Sequence, residues 1–272
     1  MYLLVFVGVM CQVILAREQC IKDESLEFCQ PPSKYVQNES LIFITPWNSP
    51  GYELSVKYAQ KLDYISPVWF YIEKHKQTGK IQFEGRQDIK LDWLKKIRMA
   101  NPKIKIVPRF YIEAVMGYYK WFIADKDNFA FVKKELLDIS KELNLDGYVL
   151  DLPLFSFTEH REIIKFLYDE MRDIFPDKLL IGTLNGNRIN MPNLLENNKD
   201  ISLIEPIFKN MDKVIITTYD FPPIVEGTSF NSPKNYVKDN IRHYSKLVEK
   251  HLPVVFEEKV MIGMNFYGYE WD

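Results

Sequence analysis

Residues 129–152 read FAFVKKELLDISKELNLDGYVLDL and contain the helix–strand unit that decides the fold. Five apolar side chains recur there at helical spacing, which places them on one face of a helix: Phe129, Val132, Leu136, Ile139 and Leu143. The run Asp146–Leu152 follows, and its apolar content without strict alternation predicts a strand buried on both faces. A helix that leads directly into a buried strand is the repeating unit of an α/β fold.

The same alternation runs outward from this unit through the chain after residue 40. Seven runs are predicted as strands: Leu41–Trp47, Tyr64–Ile72, Ile104–Phe110, Asp146–Leu152, Leu179–Leu184, Val214–Tyr219 and Val260–Tyr267. Further helices are predicted at Asp92–Ala100, at 163–174 and at 237–248. With no glycine-rich phosphate loop after the first strand, the pattern favours an α/β (β/α)₈ TIM-type barrel over a doubly wound sheet. Because only seven strands are visible, we expect the last strand and helix to be missing from this chain.

The composition limits the classes of function. The 272-residue chain is 47% hydrophobic and 14% aromatic, which supports a buried core and excludes a disordered or low-complexity protein. Its net charge of −2 gives no electrostatic reason to expect nucleic acid as a partner. The four histidines do not stand at metal-ligand spacing, and the sequence contains no G-x-S-x-G elbow. We therefore expect no metal, no cofactor and no serine hydrolase.

The N-terminal residues predict entry into the secretory pathway. Residues 1–16 end in a long apolar run that is too short to span a bilayer and is typical of a signal peptide. Residues 17–40 then form an N-terminal extension before a barrel domain at 41–272. Cys20 and Cys29 could close a disulfide in an oxidising compartment, or remain free or intermolecular thiols. The Asn38 sequon suits glycosylation of a secreted or extracellular, alternatively lysosomal, protein that has no membrane span after cleavage.

Aromatic side chains with a polar neighbour dominate the ends of the predicted strands, where barrel proteins build their sites. The seven ends are Thr45–Asn48, Trp69–Tyr71, Pro108–Phe110, Asp151–Pro153, Thr183–Asn185, Thr218–Asp220 and Asn265–Gly268. Flat aromatic faces stack on the apolar faces of sugar rings, while Asn, Asp and Tyr groups bind hydroxyls. Each aromatic residue alone is equally well explained as core filling. Their joint placement at one face predicts sugar binding.

Three segments resemble the signatures of glycoside hydrolase family 18, the chitinases and chitinase-like lectins: Asp146–Pro153 (DGYVLDLP), Thr218–Asp220 (TYD) and Ile262–Gly268 (IGMNFYG). A further set is similar to one chitinase-like branch of that family: Thr45–Ser49, Ile65–Trp69 and Ile106–Arg109. The resemblance implies a (β/α)₈ barrel that binds oligosaccharides containing N-acetylglucosamine, such as chitin fragments. It also implies an eighth strand bearing a Trp on the sugar-binding floor, which this chain lacks.

The sequence departs from the family pattern where hydrolysis is carried out. Active members protonate the glycosidic oxygen with a Glu, and the acetamido group of the substrate is the nucleophile, an exception to the two-carboxylate scheme. Pro153 stands at the Glu position and Val149 at the middle Asp position, although Asp146 and Asp151 remain. The resemblance therefore implies a lectin that is not an enzyme. The sugar-contacting residues that it implies are Trp47, Trp69, Asp151, Tyr219, Asp220, Phe266 and Tyr267.

Three other interpretations stay open. Glu113 or Glu159 could act as a displaced acid in a residual glycoside hydrolase, although an exposed Glu is more often a solvated surface group. The barrel could instead be a protein-interaction module for a sorting or scavenger receptor. Finally, a barrel without its last strand would expose two unpaired edges, which are an aggregation hazard and would suit a truncated product without stable function.

Overall fold

The computed structural model describes residues 38–75, 77–112, 126–151, 161–186, 201–221 and 230–267. Its strands are β1 (Leu41–Ile44), β2 (Tyr64–Pro67), β3 (Phe70–Lys74), β4 (Ile81–Glu84), β5 (Lys105–Ile106), β6 (Arg109–Ile112), β7 (Gly147–Asp151), β8 (Leu179–Asn185), β9 (Lys213–Thr217) and β10 (Val260–Gly263). Its α-helices are α1 (Ser49–Lys57), α2 (Leu91–Ala100), α3 (Lys126–Glu142), α4 (Arg161–Ile174), α5 (Ile201–Asn210), α6 (Lys234–His251) and α7 (Phe256–Lys259).

The strands form the wall of a (β/α)₈-type barrel, as predicted. One sheet has the order β1–β2–β5 and the other has the order β10–β9–β8–β7–β6–β3–β4. All neighbouring pairs are parallel except β3 and β4, which form an antiparallel hairpin. The Asp146 N–H donates to the Ile106 carbonyl at 3.0 Å, so β5 also adjoins the start of β7. Together the two sheets make one curved wall.

Two predicted strands are each divided in two, which corrects their predicted extents. The run Tyr64–Ile72 contains β2 and β3, with a break at Val68 and Trp69, and the run Ile104–Phe110 contains β5 and the start of β6. Pro108 lies in the second break and has no N–H to donate to a strand ladder. The strands on the two sides of each break pair with different neighbours: β2 pairs with β1 and β5, whereas β3 pairs with β4 and β6. The wall therefore curves at the breaks.

Apolar side chains fill the barrel from within and also cover it from outside. The inner layer consists of Tyr64, Val107, Val149, Ile181 and Ile215, with Leu41, Leu179 and Met261 packed against them. Outside the wall, the predicted stripe on α3 is confirmed, since Val132, Leu136 and Ile139 are almost fully buried. Truncating one such core side chain to Ala typically costs about 2–5 kcal/mol. The two layers hold the strands rigidly enough to position side chains at their ends.

Aspartates tie the strands together at the amino-terminal end of the barrel, called the base here. Each of the three stands immediately before a strand and accepts a backbone N–H from a residue in, or next to, the neighbouring strand. The bonds run from Ser40 to Asp63 at 2.6 Å, from Ile106 to Asp146 at 2.9 Å and from Leu180 to Asp212 at 2.8 Å. Charged hydrogen bonds of this kind are stronger than neutral ones and therefore fix the strand register.

No helix in the described part of the chain is long and apolar enough to cross a membrane. The predicted signal peptide at 1–16, Cys20 and Cys29 lie outside the described residues, and the division of the chain into domains stays a prediction. Asn38 is described and exposed, just before β1.

Candidate functional site

A polar layer lies directly above the apolar inner layer, toward the carboxyl ends of the strands. Arg109, Asp151 and Thr183 each stand two residues beyond an inner-layer residue, on the same face of their strands. The Arg109 Nε–H donates to Asp151 Oδ2 at 2.6 Å, and the Arg109 Nη2 group contacts the same oxygen. The Thr183 hydroxyl donates to Asp151 Oδ1 at 2.6 Å. Both oxygens of the Asp151 carboxylate are therefore already engaged by the protein.

Two tyrosines flank this layer. The Arg109 guanidinium lies over the ring of Tyr111, 4.8 Å from its centroid, in a cation–π contact. Tyr219, just beyond β9, is close enough for its charge state to respond to both partners of the ion pair. Burial raises the pKa of Tyr219, the Asp151 carboxylate raises it further, and Arg109 opposes the rise. Tyr219 is thus a neutral hydroxyl beside a fixed ion pair at neutral pH.

The loops after β9 and β10 are bonded to each other through Asp220. This residue has a left-handed backbone (φ 55°), a conformation that Asp tolerates better than most side chains. The Tyr267 hydroxyl donates to Asp220 Oδ1 at 2.6 Å, and the Asp220 N–H donates to Asn231 Oδ1 at 2.6 Å. The rings of Tyr219 and Tyr267 meet edge to face with centroids 6.3 Å apart. These contacts bring three predicted site residues together.

Exposed aromatic side chains stand at the same end of the barrel. Trp47 is 81% exposed in the turn between β1 and α1, and Phe266 is 98% exposed after β10. Asn48 fixes the turn beside Trp47, since its side-chain oxygen accepts the Gly51 N–H at the start of α1. Large apolar side chains in this position are exposed to water and do not pack in the core. A ligand that covers them removes apolar surface from water, which favours binding.

Trp69 does not belong to this face, which corrects the prediction. It is 1% exposed, packs edge to face on Trp93 of α2, and donates its indole N–H to the Tyr52 hydroxyl of α1 at 2.9 Å. The alternation of side chains along β2 is the physical reason. Tyr64 faces the interior, so Trp69, an odd number of residues further along the chain, faces the helices, as Ile65 does. Trp69 is therefore a core residue.

The two surviving carboxylates of the DGYVLDLP stretch lie at opposite ends of β7. Asp146 is at the base, where it accepts the Ile106 N–H and pairs with Lys105 at 3.1 Å. Asp151 is in the polar layer, and Val149 between them is fully buried in the apolar inner layer. Pro153 lies outside the described residues, as do Glu113 and Glu159.

Arg109 and Thr183 are site residues that the sequence did not identify. Both occur in strand ends singled out from the sequence, but neither is aromatic, and their connection runs through Asp151 on a third strand. Arg109 also belongs to Ile106–Arg109, one of the segments that resemble a chitinase-like branch of the family. That resemblance is the sequence feature from which Arg109 could have been identified. Among the described residues, no group of three or more His, Cys, Asp or Glu side chains is arranged to hold a metal ion.

Solved structures with a similar fold are chitinases and related enzymes. The spore cortex-lytic enzyme SleL of Bacillus megaterium aligns over 86% of this chain and 51% of its own, with 18% identity and a TM-score of 0.63. A mutant family 18 chitinase of Cycas revoluta in complex with (GlcNAc)₄ aligns over 83% and 68%, with 14% identity and a TM-score of 0.64. A chitinase of Bacteroides thetaiotaomicron aligns over 85% and 68%, with 13% identity and a TM-score of 0.62.

These likenesses show the fold of this chain, which is a TIM-type barrel similar to the folds of the solved chitinases. The chain spans about half the length of SleL and about two thirds of each chitinase. No protein-family model matches the chain.

Proposed function

We propose that this protein binds chitin-type or other N-acetylglucosamine-containing oligosaccharides at the carboxyl ends of its strands and does not hydrolyse them. Two kinds of observation support sugar binding. The fold is shared with chitinases, and the Cycas enzyme has been solved with (GlcNAc)₃ and with (GlcNAc)₄. The strand-end motifs also resemble those of chitinase domain-containing protein 1, the stabilin-1-interacting chitinase-like protein.

The state of Asp151 is the single observation that carries the non-hydrolytic part of the proposal. Its carboxylate accepts two contacts from Arg109 and one from Thr183, so both of its oxygens are already bonded to donors within the protein. Val149 occupies the family's middle Asp position and is buried among apolar side chains. With Pro153 at the Glu position, none of the three motif positions supplies a general acid, and loss of such an acid alone costs about 10²–10⁴-fold in rate.

The exposed aromatic groups supply the apolar contacts of the proposed site. Trp47, Phe266 and Tyr267 stand at the ends of β1 and β10, and sugar rings present apolar C–H faces to such side chains. Tyr219 and Asp220 add polar groups that hydroxyls or amides can meet, and Asp151 remains a polar neighbour behind Arg109. In this proposal the protein is secreted, or delivered to lysosomes, as a glycoprotein modified at Asn38.

Binding is tested by titrating the full chain with tetra-N-acetylchitotetraose while following tryptophan fluorescence. A saturable change is expected for the unmodified protein. Trp47→Ala should weaken binding about 10-fold, because loss of a sugar-stacking aromatic removes roughly 1–2 kcal/mol. Phe131→Ala is the matched control, since Phe131 is also an exposed aromatic but lies on helix α3. A folded protein whose fluorescence does not respond to the sugar would rule the proposal out.

A fluorogenic chitobioside distinguishes the lectin from a residual hydrolase. No release of the fluorophore above the rate without protein is expected. Release that disappears in Glu113→Gln or Glu159→Gln would assign a displaced acid and overturn the non-hydrolytic part. Capture of a sorting or scavenger receptor domain that tetra-N-acetylchitotetraose does not compete away would favour a protein-interaction module instead.

A further inference from the structure

The Arg109 side chain is held in place before any ligand arrives. Asp151 receives its Nε–H and Nη2 groups, and the guanidinium plane rests on Tyr111. Asp151 is in turn fixed by Thr183 from the next strand. Each contact comes from a strand of the barrel wall, which makes the position of the guanidinium as rigid as the wall itself. Preorganised donors of this kind lose little entropy when they bind a ligand.

Arg109 retains donor capacity that the described residues do not use. A guanidinium has five N–H donors, and those that bond within the described residues point to Asp151. The Arg109 side chain is 27% exposed and that of Asp151 is 23% exposed, so the pair is sheltered but within reach of solvent. The remaining N–H groups therefore present a charged donor edge to a ligand at the strand ends.

The charge balance of the layer determines which ligand group this edge favours. Arg109 neutralises the Asp151 carboxylate, so the pair offers no net negative charge to an ammonium group. A carbonyl oxygen, by contrast, accepts directly from the guanidinium in a charge-assisted hydrogen bond. N-acetylglucosamine carries such a carbonyl in its acetamido group, whereas deacetylated glucosamine carries an ammonium group in its place.

We propose that Arg109 is the specificity-determining residue for acetylated sugars, donating to an acetamido carbonyl oxygen and disfavouring deacetylated ligands. This role rests on the proposed function, and it assigns a ligand contact to a residue at the end of β6 that is separate from the exposed aromatic groups. Arg109→Gln keeps much of the side-chain volume but removes the charge and leaves Asp151 as an unpaired anion. The variant should therefore lose affinity for acetylated ligands and gain affinity for deacetylated ones.

The test compares tetra-N-acetylchitotetraose with fully deacetylated chitotetraose by isothermal titration calorimetry at pH 6, where the amines of the latter are charged. The unmodified protein should prefer the acetylated ligand, and Arg109→Gln should reduce that preference at least about 10-fold, the usual size of one hydrogen bond to a charged group. Lys133→Gln is the matched control, because it removes the similarly sheltered Lys133–Glu170 pair on α3 and α4. That control should leave the preference unchanged.

A double variant distinguishes two roles of Arg109: direct contact with the ligand, and support of Asp151 alone. If Arg109 only held Asp151 in place, removing both charges in Arg109→Gln with Asp151→Asn would restore affinity for the acetylated ligand. We expect affinity to stay low, with circular dichroism showing that both variants fold. Restored affinity, or an unchanged preference in folded Arg109→Gln, would overturn the role of Arg109. Absence of binding by the unmodified protein would instead overturn the proposed function itself, and the Arg109 role with it.

Discussion

The two ends of the barrel use charged side chains in opposite ways. At the base, Asp63, Asp146 and Asp212 each accept a backbone N–H from a neighbouring strand. At the carboxyl ends, Asp151 bonds to two side chains, and exposed aromatic residues stand at the same end of the barrel. At the base, the carboxylates bind backbone N–H groups and thereby fix the strand register. At the opposite end, the polar groups bond to other side chains, in a network that a ligand can contact. Mutations at the base should therefore change stability and leave binding intact, and mutations at the opposite end should do the reverse.

Gly147→Ala should have the largest effect on stability. A Cβ at this position would lie 1.7 Å from the Leu179 carbonyl oxygen, so β7 and β8 could not keep their present spacing. We expect a loss of more than about 3 kcal/mol, or failure to fold, because backbone cannot move aside as a flexible side chain can. Urea denaturation measures the loss. Gly51→Ala in helix α1 is the control and should change stability by less than about 1 kcal/mol.

Asp212→Ala should have a smaller but clear effect. It removes the acceptor of the Leu180 N–H at 2.8 Å and the partner of Arg172 at 2.9 Å. Leaving that strand N–H without its acceptor should cost about 1–3 kcal/mol in the same denaturation experiment. Asp239→Ala removes only the exposed pair with Arg242 on α6 and should cost less than about 0.5 kcal/mol. Equal effects of the two variants would contradict the special role of the base.

The contribution of Glu39 to stability should depend on pH. Burial alone would raise the pKa of this carboxyl, but bonds from Lys213 at 2.5 Å and from the Tyr64 hydroxyl outweigh it, so the pKa lies below the usual 4.5. A depressed folded-state pKa stabilises the protein above the unfolded pKa, and this stabilisation is lost as pH falls through the folded value.

Thermal melts of Glu39→Gln and the unmodified protein at several pH values test this contribution. The variant should melt at a lower temperature at pH 7, and the gap should narrow below about pH 4 as the Glu39 carboxylate takes up its proton. A gap that stays constant from pH 7 to pH 3 would show that the charge of Glu39 is not the cause.

Trp47→Ala should have the smallest effect on stability, although its effect on binding is large. The side chain is 81% exposed, so its removal costs little buried area and should change the free energy of unfolding by less than about 0.5 kcal/mol. Urea denaturation run beside the sugar titration measures both quantities on one preparation. A large loss of stability would mean that Trp47 is part of the packed structure and would weaken its assignment to the sugar-contacting face.

The sequence predicts the class of fold because buried parallel strands and amphipathic helices leave local patterns. The stripe on α3 and the apolar runs of β7 to β10 are examples, and each prediction overlaps the observed element. Less regular elements are not predicted from the sequence. Helix α5 contains Pro206, and α1 is only 9 residues long, so neither carries a clear periodic signal. The hairpin strand β4 was also not predicted.

The candidate site is harder to predict because it depends on register between distant strands. Trp69 stands in a motif that suggests a binding residue, yet it lies an odd number of residues after the inward-facing Tyr64 and therefore faces the helices. Arg109, Asp151 and Thr183 come from three different strands and meet only because the barrel aligns them. Trp47 and Phe266 are the reverse case, since β1 ends at Ile44 and β10 at Gly263, so both side chains lie beyond the strand ladder and are exposed.

Sugar binding without hydrolysis is tested most directly by calorimetric titration of the full chain with tetra-N-acetylchitotetraose, followed by mass spectrometry of the recovered sugar. We expect saturable heat that Trp47→Ala weakens and Asp212→Ala does not, with the tetrasaccharide recovered intact. Recovery of shorter fragments would contradict the non-hydrolytic claim. The absence of any heat from a folded protein would contradict sugar binding at this end of the barrel.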